Sequence, residues 1–157
     1  MKIDGFEGQR EGEEIVAIWR AHPFVLAKTG FICSALIIAG SLPEAIWAPS
    51  WGIYLILIFI FASFIYALAH YYMWFNTIYF LTNERIFAIS QKGPLYRLTN
   101  EVPLKNIQNV MHSKKGVWQM ALDFGDVEIE TSGAKTAMIL RALTHPYLAQ
   151  QKILDKS

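Results

Sequence analysis

Three lysines carry the clearest chemical suggestion in this chain. Lys114 and Lys115 are adjacent, with Lys105 nearby, and they form the one basic cluster of the C-terminal half. Ammonium groups so placed suit anionic lipid headgroups, at about 1 kcal/mol per basic side chain near a charged surface. A plain solvated loop is the simpler reading. Glu128 and Glu130 stand two apart on one strand face. Paired carboxylates can do acid–base work, but no partner acid or metal ligand falls at a useful spacing, and a solvated face is the simpler reading. His22, His70, His112 and His145 are scattered, with no HxH or HxxxH pair to hold a metal. His22 and His145 each precede a proline and suit helix starts. His70 lies among tyrosines, where an interfacial polar contact suffices. The single cysteine, Cys33, is set in an apolar stretch and reads as an inert small hydrophobe. No Gly-rich phosphate loop, Ser-His-Asp order or activated thiol is visible. The expectation is a protein with no catalytic residue, no cofactor and no metal.

The bulk composition agrees. Of 157 residues, 54% are hydrophobic and 17% charged, where a soluble domain has about a quarter charged. The net charge of +1 gives no argument for nucleic acid as a partner. Charge is also unevenly placed: between Thr29 and Asn83 the only Asp, Glu, Lys or Arg is Glu44. The first twenty residues carry Glu7, Glu11, Glu13 and Glu14 and lack the basic and apolar regions of a cleavable signal.

Two apolar stretches explain that gap. Trp51–Trp74 is bounded by Trp at both ends and contains no ionisable group but His70 and tyrosines. A helix crossing the hydrocarbon needs roughly twenty such residues. Its many Ile, Leu and Phe side chains each favour insertion by about 0.3 to 0.6 kcal/mol. Phe24–Trp47 precedes it and is weaker, because Lys28 and Glu44 interrupt it near its ends. Near an end a long side chain reaches the headgroups instead of the hydrocarbon, so Lys28 and Glu44 are expected at opposite interfaces. The first helix either ends near Pro43 or continues to Trp47. Ala48-Pro49-Ser50 makes the connection short and the helices antiparallel. Gly30, Ser34, Ala35, Ala39 and Gly40 on the first helix and Ala62, Ser63, Ala67 and Ala69 on the second are small residues that allow close backbone approach, with Ser34 and Ser63 expected to bond to backbone. Trp47, Trp51, Tyr71, Tyr72 and Trp74, with Lys28 and Trp19, are the expected interfacial anchors. Arg10, Arg20 and Lys28 precede the spans, Arg85, Lys92 and Arg97 follow them, and the connection has neither Lys nor Arg. By the positive-inside rule both termini face the cytoplasm.

The organisation is therefore 1–22 as an N-terminal segment, 23–74 as a transmembrane helical hairpin, and 75–157 as a second unit. Gly12–Ala21 either lies in the interface as a short amphipathic helix or packs on the second unit and covers a strand edge. In the second unit Thr77–Thr82 and Arg85–Ser90 read as strands around the turn Asn83-Glu84, with Glu84 and Arg85 solvated. Lys92-Gly93-Pro94 breaks the chain and Leu95–Asn100 continues. Pro103 marks an edge or bulge before Ile107 and Val110. Val117–Leu122 and Val127–Thr131 read as a hairpin around Asp123–Asp126. Ser132-Gly133-Ala134 is a turn and Thr136–Leu143 the last strand. Thr144 reads as the N-cap of a closing helix, Tyr147–Leu154. Only Phe75 and Asn76 separate Trp74 from the first of these strands. At about 3.3 Å per residue that keeps the strand start within roughly a nanometre of the headgroups.

These residues resemble a family. Gly12-Glu13-Glu14 and His22-Pro23, then Tyr79-Phe80-Leu81-Thr82-Asn83-Glu84-Arg85, then Glu101-Val102-Pro103-Leu104 with Ile107, and Gly125-Asp126-Val127-Glu128-Ile129 are similar to the bacterial PH-like membrane proteins, the YdbS-like or bacterial pleckstrin-homology group. The resemblance implies a mainly-β PH-like domain after the hairpin: two near-orthogonal antiparallel sheets with a closing C-terminal helix. It brings no defined activity, because such barrels serve mainly as binding scaffolds. A phosphoinositide pocket is not implied, since Asn83-Glu84 is a short turn with one Arg beside one Glu. The expected role is a non-enzymatic interaction module at the cytoplasmic face of the inner membrane, in contact with membrane lipids. It would bind a protein partner or a second copy of itself. A structural subunit of a larger membrane complex, or a weak anionic-lipid sensor through Lys105, Lys114 and Lys115, are the alternatives.

Overall fold

The structure is a computed structural model that describes residues 10, 12–47, 50–132 and 137–156. In chain order the elements are β1 (Ile15–Arg20), α1 (Ala27–Trp47), α2 (Gly52–Phe75), β2 (Ile78–Thr82), β3 (Arg85–Gly93), β4 (Tyr96–Pro103), β5 (Ile107–Ser113), α3 (Val117–Ala121), β6 (Phe124–Thr131), β7 (Met138–Thr144) and α4 (Pro146–Leu154). Short 3₁₀ turns at Pro23–Leu26 and Leu104–Asn106 lead into α1 and β5. The chain forms two compact units. One contains the two long helices together with residues 90–97, and the other the rest of the strands with α3 and α4.

The helical unit is an antiparallel pair. Both helices are long and apolar enough to cross a membrane, and most of their side chains are exposed, Phe31, Ile38, Ile58, Phe61 and Phe64 among them. Of the small residues expected at the contact, Gly40 and Ser63 are buried in it, whereas Gly30, Ser34, Ala35, Ala39 and Ala62 are exposed. A Cβ added at Gly40 would lie 2.6 Å from Cβ of Phe59, so only glycine admits that ring. Cys33 Sγ donates to the Ser63 carbonyl and Ser63 Oγ to the Cys33 carbonyl, each at 3.4 Å. Ser34 Oγ donates within its own helix to the Gly30 carbonyl at 2.9 Å. Continuation to Trp47 is the outcome for α1: Pro43 lies inside the helix and leaves one carbonyl in the preceding turn without its usual donor. The Glu44 carboxylate folds over Gly52 at the start of α2. Ala48 and Pro49 lie outside the described residues.

The second unit is mainly β. One antiparallel sheet has four strands in the order β1-β2-β3-β4 and the other three in the order β5-β6-β7. The β-branched and aromatic run of β2 packs on both faces, as its burial from Tyr79 to Thr82 shows. Tyr79 and Leu81 of β2, Ile86 and Ala88 of β3, Val127 and Ile129 of β6, and Leu140 of β7 meet in one core. Ala149 and Ile153 of α4 close it. The Arg141 N–H donates to the Tyr79 hydroxyl at 3.1 Å, and Ala21 bridges to Leu143, so the two sheets are stitched at this corner.

Several sequence expectations change here. Of the two readings of Gly12–Ala21 the interfacial helix fails and the edge cover holds: β1 pairs with β2 from Ile15↔Thr82 to Arg20↔Ile78 and covers its edge. Its alternation puts Ala17 and Trp19 against the core and leaves Val16 and Ile18 exposed. Val117–Leu122 is not a strand. Both ladders of β6 are already taken, by β5 and β7, so 117–122 cannot form the expected hairpin with β6, and it coils into α3. The N-cap of α4 is His145, in the left-handed region at φ +53°, and its side chain makes no capping bond. Thr144, the expected cap, is spent as the last residue of β7, opposite Phe124. β3 runs on through Gly93, because its ladder to β4 tolerates the Lys92-Gly93 break. Pro103 ends β4 at the sheet edge, as its missing N–H demands. Gly133, Ala134 and Thr136 lie outside the described residues, and the last strand is Met138–Thr144.

Candidate interaction surfaces

The turn between β2 and β3 grips the chain that leads into β1. Asn83 is its centre. Its side-chain oxygen accepts from the Glu14 N–H at 3.0 Å, its side-chain nitrogen donates to the Gly12 carbonyl at 3.2 Å, and its backbone N–H donates to the Glu14 carbonyl at 3.1 Å. Beneath it lies a buried ion pair. Arg85 donates from Nε to Oε1 and from Nη2 to Oε2 of Glu13, both at 3.0 Å. This two-pronged geometry matches a guanidinium to a carboxylate. Nη1 of Arg85 donates to Glu101 at 2.7 Å, and the guanidinium carbon sits 4.3 Å from the centre of the Phe87 ring. Glu13 is 3% exposed and Arg85 6%.

The environment of Glu13 shifts its acidity. The Arg85 hydrogen bonds hold its carboxyl at about 2, against an ordinary 4.5, and outweigh the burial that would raise it. The Arg10 N–H at 3.0 Å and the Thr82 hydroxyl at 2.8 Å add to the lowering. Arg85 was expected to be solvated in a tight turn. The turn is present, but burial and two carboxylates claim the arginine. The sequence signal for this pairing was a sequence motif in two halves, Gly12-Glu13-Glu14 and Thr82-Asn83-Glu84-Arg85, which the fold brings together. Spacing alone did not join them.

The lysines do not form one cluster. Lys105 is exposed in the turn before β5, where it lines a shallow groove with Arg10, Asn83, Glu84 and Lys156. Lys114 and Lys115 follow the far end of β5, seven residues long and hence roughly 20 Å away at about 3.3 Å per residue. Lys114 is paired to Asp123, whose other oxygen bonds His145. The Lys114 hydrogen bond first, and His145 second, hold the Asp123 carboxyl below its ordinary value. Lys115 is exposed. It is followed by Gly116, at φ +92°, and by α3, whose Val117, Trp118 and Met120 are 77, 65 and 67% exposed.

Within the helical unit, Lys28 is exposed near the start of α1, and Tyr71, Tyr72 and the half-buried Trp74 lie at the end of α2. Trp47 and Trp51 are exposed at the opposite end of the pair. Trp19, expected as an anchor beside them, stands instead on β1 with its ring partly buried against the sheet core, because strand alternation turns it inward. His22 accepts the Phe24 N–H at 3.1 Å and so caps the turn into α1, while His70 faces the Tyr66 carbonyl at 3.0 Å. Glu128 and Glu130 sit on β6 opposite Met111 and Asn109. Among the described residues no cluster of His, Cys, Asp or Glu has the geometry to hold a metal ion.

Antiparallel sheets of four and three strands with a C-terminal helix that closes their core define a small β-domain. The chain belongs to the Bacterial PH domain family, whose model matches residues 24–153. Similar solved structures include a DUF1696 family protein with a pleckstrin-homology domain from Shewanella loihica PV-4. It is 21% identical over 52% of this chain and 70% of that one, with a TM-score of 0.42. A pleckstrin homology domain from Shewanella amazonensis SB2B is 16% identical over 52% and 74%, with a TM-score of 0.39. No curated protein matches the chain.

Proposed function

We propose that this chain is a membrane-anchored, non-enzymatic PH-like interaction module. Its helical pair spans the bilayer, both termini face the cytoplasm, and the sheet unit binds a protein partner or a second copy at the inner membrane surface. The observation that carries the anchoring is the outward face of α1 and α2, which is apolar all round and exposed. Such a surface is stable in hydrocarbon and costly in water. Holding a binding domain at the membrane raises the effective concentration of membrane-bound partners without any new contact. Membership of the Bacterial PH domain family supports a binding role over catalysis.

The test is alkaline-carbonate extraction of membranes, followed by cross-linking in native membranes and mass spectrometry of the adducts. The chain is expected in the carbonate-resistant pellet, cross-linked to a cytoplasmic-side partner or to itself. Release into the supernatant removes the anchoring, and turnover of a substrate by the purified protein, lost on one substitution, removes the non-enzymatic reading. A stable stoichiometric partner through the helices would favour a structural subunit of a larger complex. That second reading is favoured by the exposed Phe61 and Phe64 faces that remain after α1 and α2 have packed.

A further inference from the structure

We infer that α3 is a lipid-interface anchor: a short apolar knob that dips into an anionic bilayer surface and holds the sheet unit against it. The inference rests on the membrane-anchored reading above. Val117, Trp118 and Met120 are contiguous on one turn of helix and each is at least 65% exposed. Such exposure on adjacent residues means they project from the fold. The buried core of this unit includes no α3 residue.

The chemistry of the flanks selects the occupant. From Ser113 to Leu122 there is no acidic side chain, and two lysines stand immediately before the helix. Asp123, the nearest acid, is engaged by Lys114 and His145, which leaves Lys115 facing outward beside the apolar turn. Tryptophan with an apolar ring and a polar N–H, next to lysine and short aliphatic chains, is the composition of a membrane–water boundary. Lysine is depleted in the dry centre of protein interfaces and is attracted to anionic headgroups. Gly116, at φ +92°, makes the sharp departure from the end of β5 that sends the helix outward. The backbone N–H of Lys115 donates to Gln119, which ties the lysine segment to the helix.

The experiment uses the full chain with Cys33→Ala, reconstituted in vesicles of phosphatidylcholine and phosphatidylglycerol. A single cysteine at Ala121→Cys carries an environment-sensitive fluorophore, and lipids bearing shallow nitroxide quenchers are added. Emission at position 121 should fall at least twofold, and Trp118→Ser with Met120→Ser should abolish that quenching. A second sample labelled at Ile58→Cys, quenched by deep nitroxides, reports the helical pair separately. Loss of quenching at 121 with quenching kept at 58 overturns the α3 anchor and leaves the membrane-anchored reading standing. Loss at both overturns both. Protection of position 121 from aqueous iodide without lipid quenching means that protein, such as a second copy, covers α3, and also overturns the inference.

Discussion

At Arg85 a single guanidinium serves the turn, the strand pair and the N-terminal segment together. Removing one member of a buried pair leaves the other charge uncompensated, at about 3 to 5 kcal/mol. Glu13→Ala should therefore lower the thermal midpoint of the detergent-solubilised protein strongly, because Glu101, the other carboxylate on Arg85, is half exposed. The pH dependence has a definite sign. The folded-state pKa of Glu13 is depressed to about 2 from 4.5, so the stability it contributes is fully present above about pH 4.5 and is lost as pH falls through the folded value. The difference in midpoint between the wild type and Glu13→Gln should be constant near neutral pH and shrink from about 4.5 downward. A difference that stayed constant to pH 2.5 would place the pair outside the stability of the fold. Gly125 makes a second residue-scale test. A Cβ there would lie 2.4 Å from the Ser113 carbonyl oxygen, a clash with backbone that cannot be relieved by a side-chain rotation. Gly125→Ala should cost about 1 to 3 kcal/mol, read as a lower midpoint with unchanged helix content.

Among the elements, β1 and the helical pair depend on close approach. β1 is held to β2 by its ladder and by the Asn83 and Arg85 contacts, so a fragment that begins at Asn76 bares the β2 edge. Bare strand edges pair with other chains. That fragment should sediment as oligomers, and a peptide of residues 10–22 added in trans should shift it toward monomer. In the hairpin, Cys33 and Ser63 face each other through reciprocal bonds. Ser63→Cys should therefore form a disulfide with Cys33 on mild oxidation, seen as loss of maleimide labelling. Adding Gly40→Leu should restore labelling, because a side chain at 40 displaces the Phe59 ring and parts the helices.

For the whole molecule the decisive quantity is topology. With Cys33→Ala as background, Ser50→Cys should react with a membrane-impermeant thiol reagent on intact cells, and Ser132→Cys should not. The reversed pattern refutes the cytoplasmic placement of the sheet unit. The asymmetry behind the prediction is that Arg20 and Lys28 flank one side of the spans and Lys92 and Arg97 the same side after them, while the connection carries neither Lys nor Arg.

The amino-acid order by itself determined what local physics decides. Two long apolar runs, the first broken only near its ends by Lys28 and Glu44, specified the long helices, because a stretch of that length and composition has few other uses. The β-branched run Ile78–Thr82, the turn Asn83-Glu84 and the alternation of Val127, Ile129 and Thr131 specified β2, β3 and β6. The resemblance of the short motifs in their order indicated the family. Tertiary structure decided whatever depends on which ladders are already filled and which charges end up under the sheet. Val117–Ala121 has the composition of a strand, yet it coils because β6 offers it no free edge. Gly12–Ala21 reads equally as a helix or an edge cover, and the open side of β2 makes it a strand and turns Trp19 inward. Arg85 looks solvated beside Glu84, and only the fold brings Glu13, 72 residues away in sequence, into its grip. Lys105 and Lys114 are close in sequence but are held apart by the length of β5. Pairing partners, burial and long-range ion pairs are properties of the folded whole, so no window of sequence contains them.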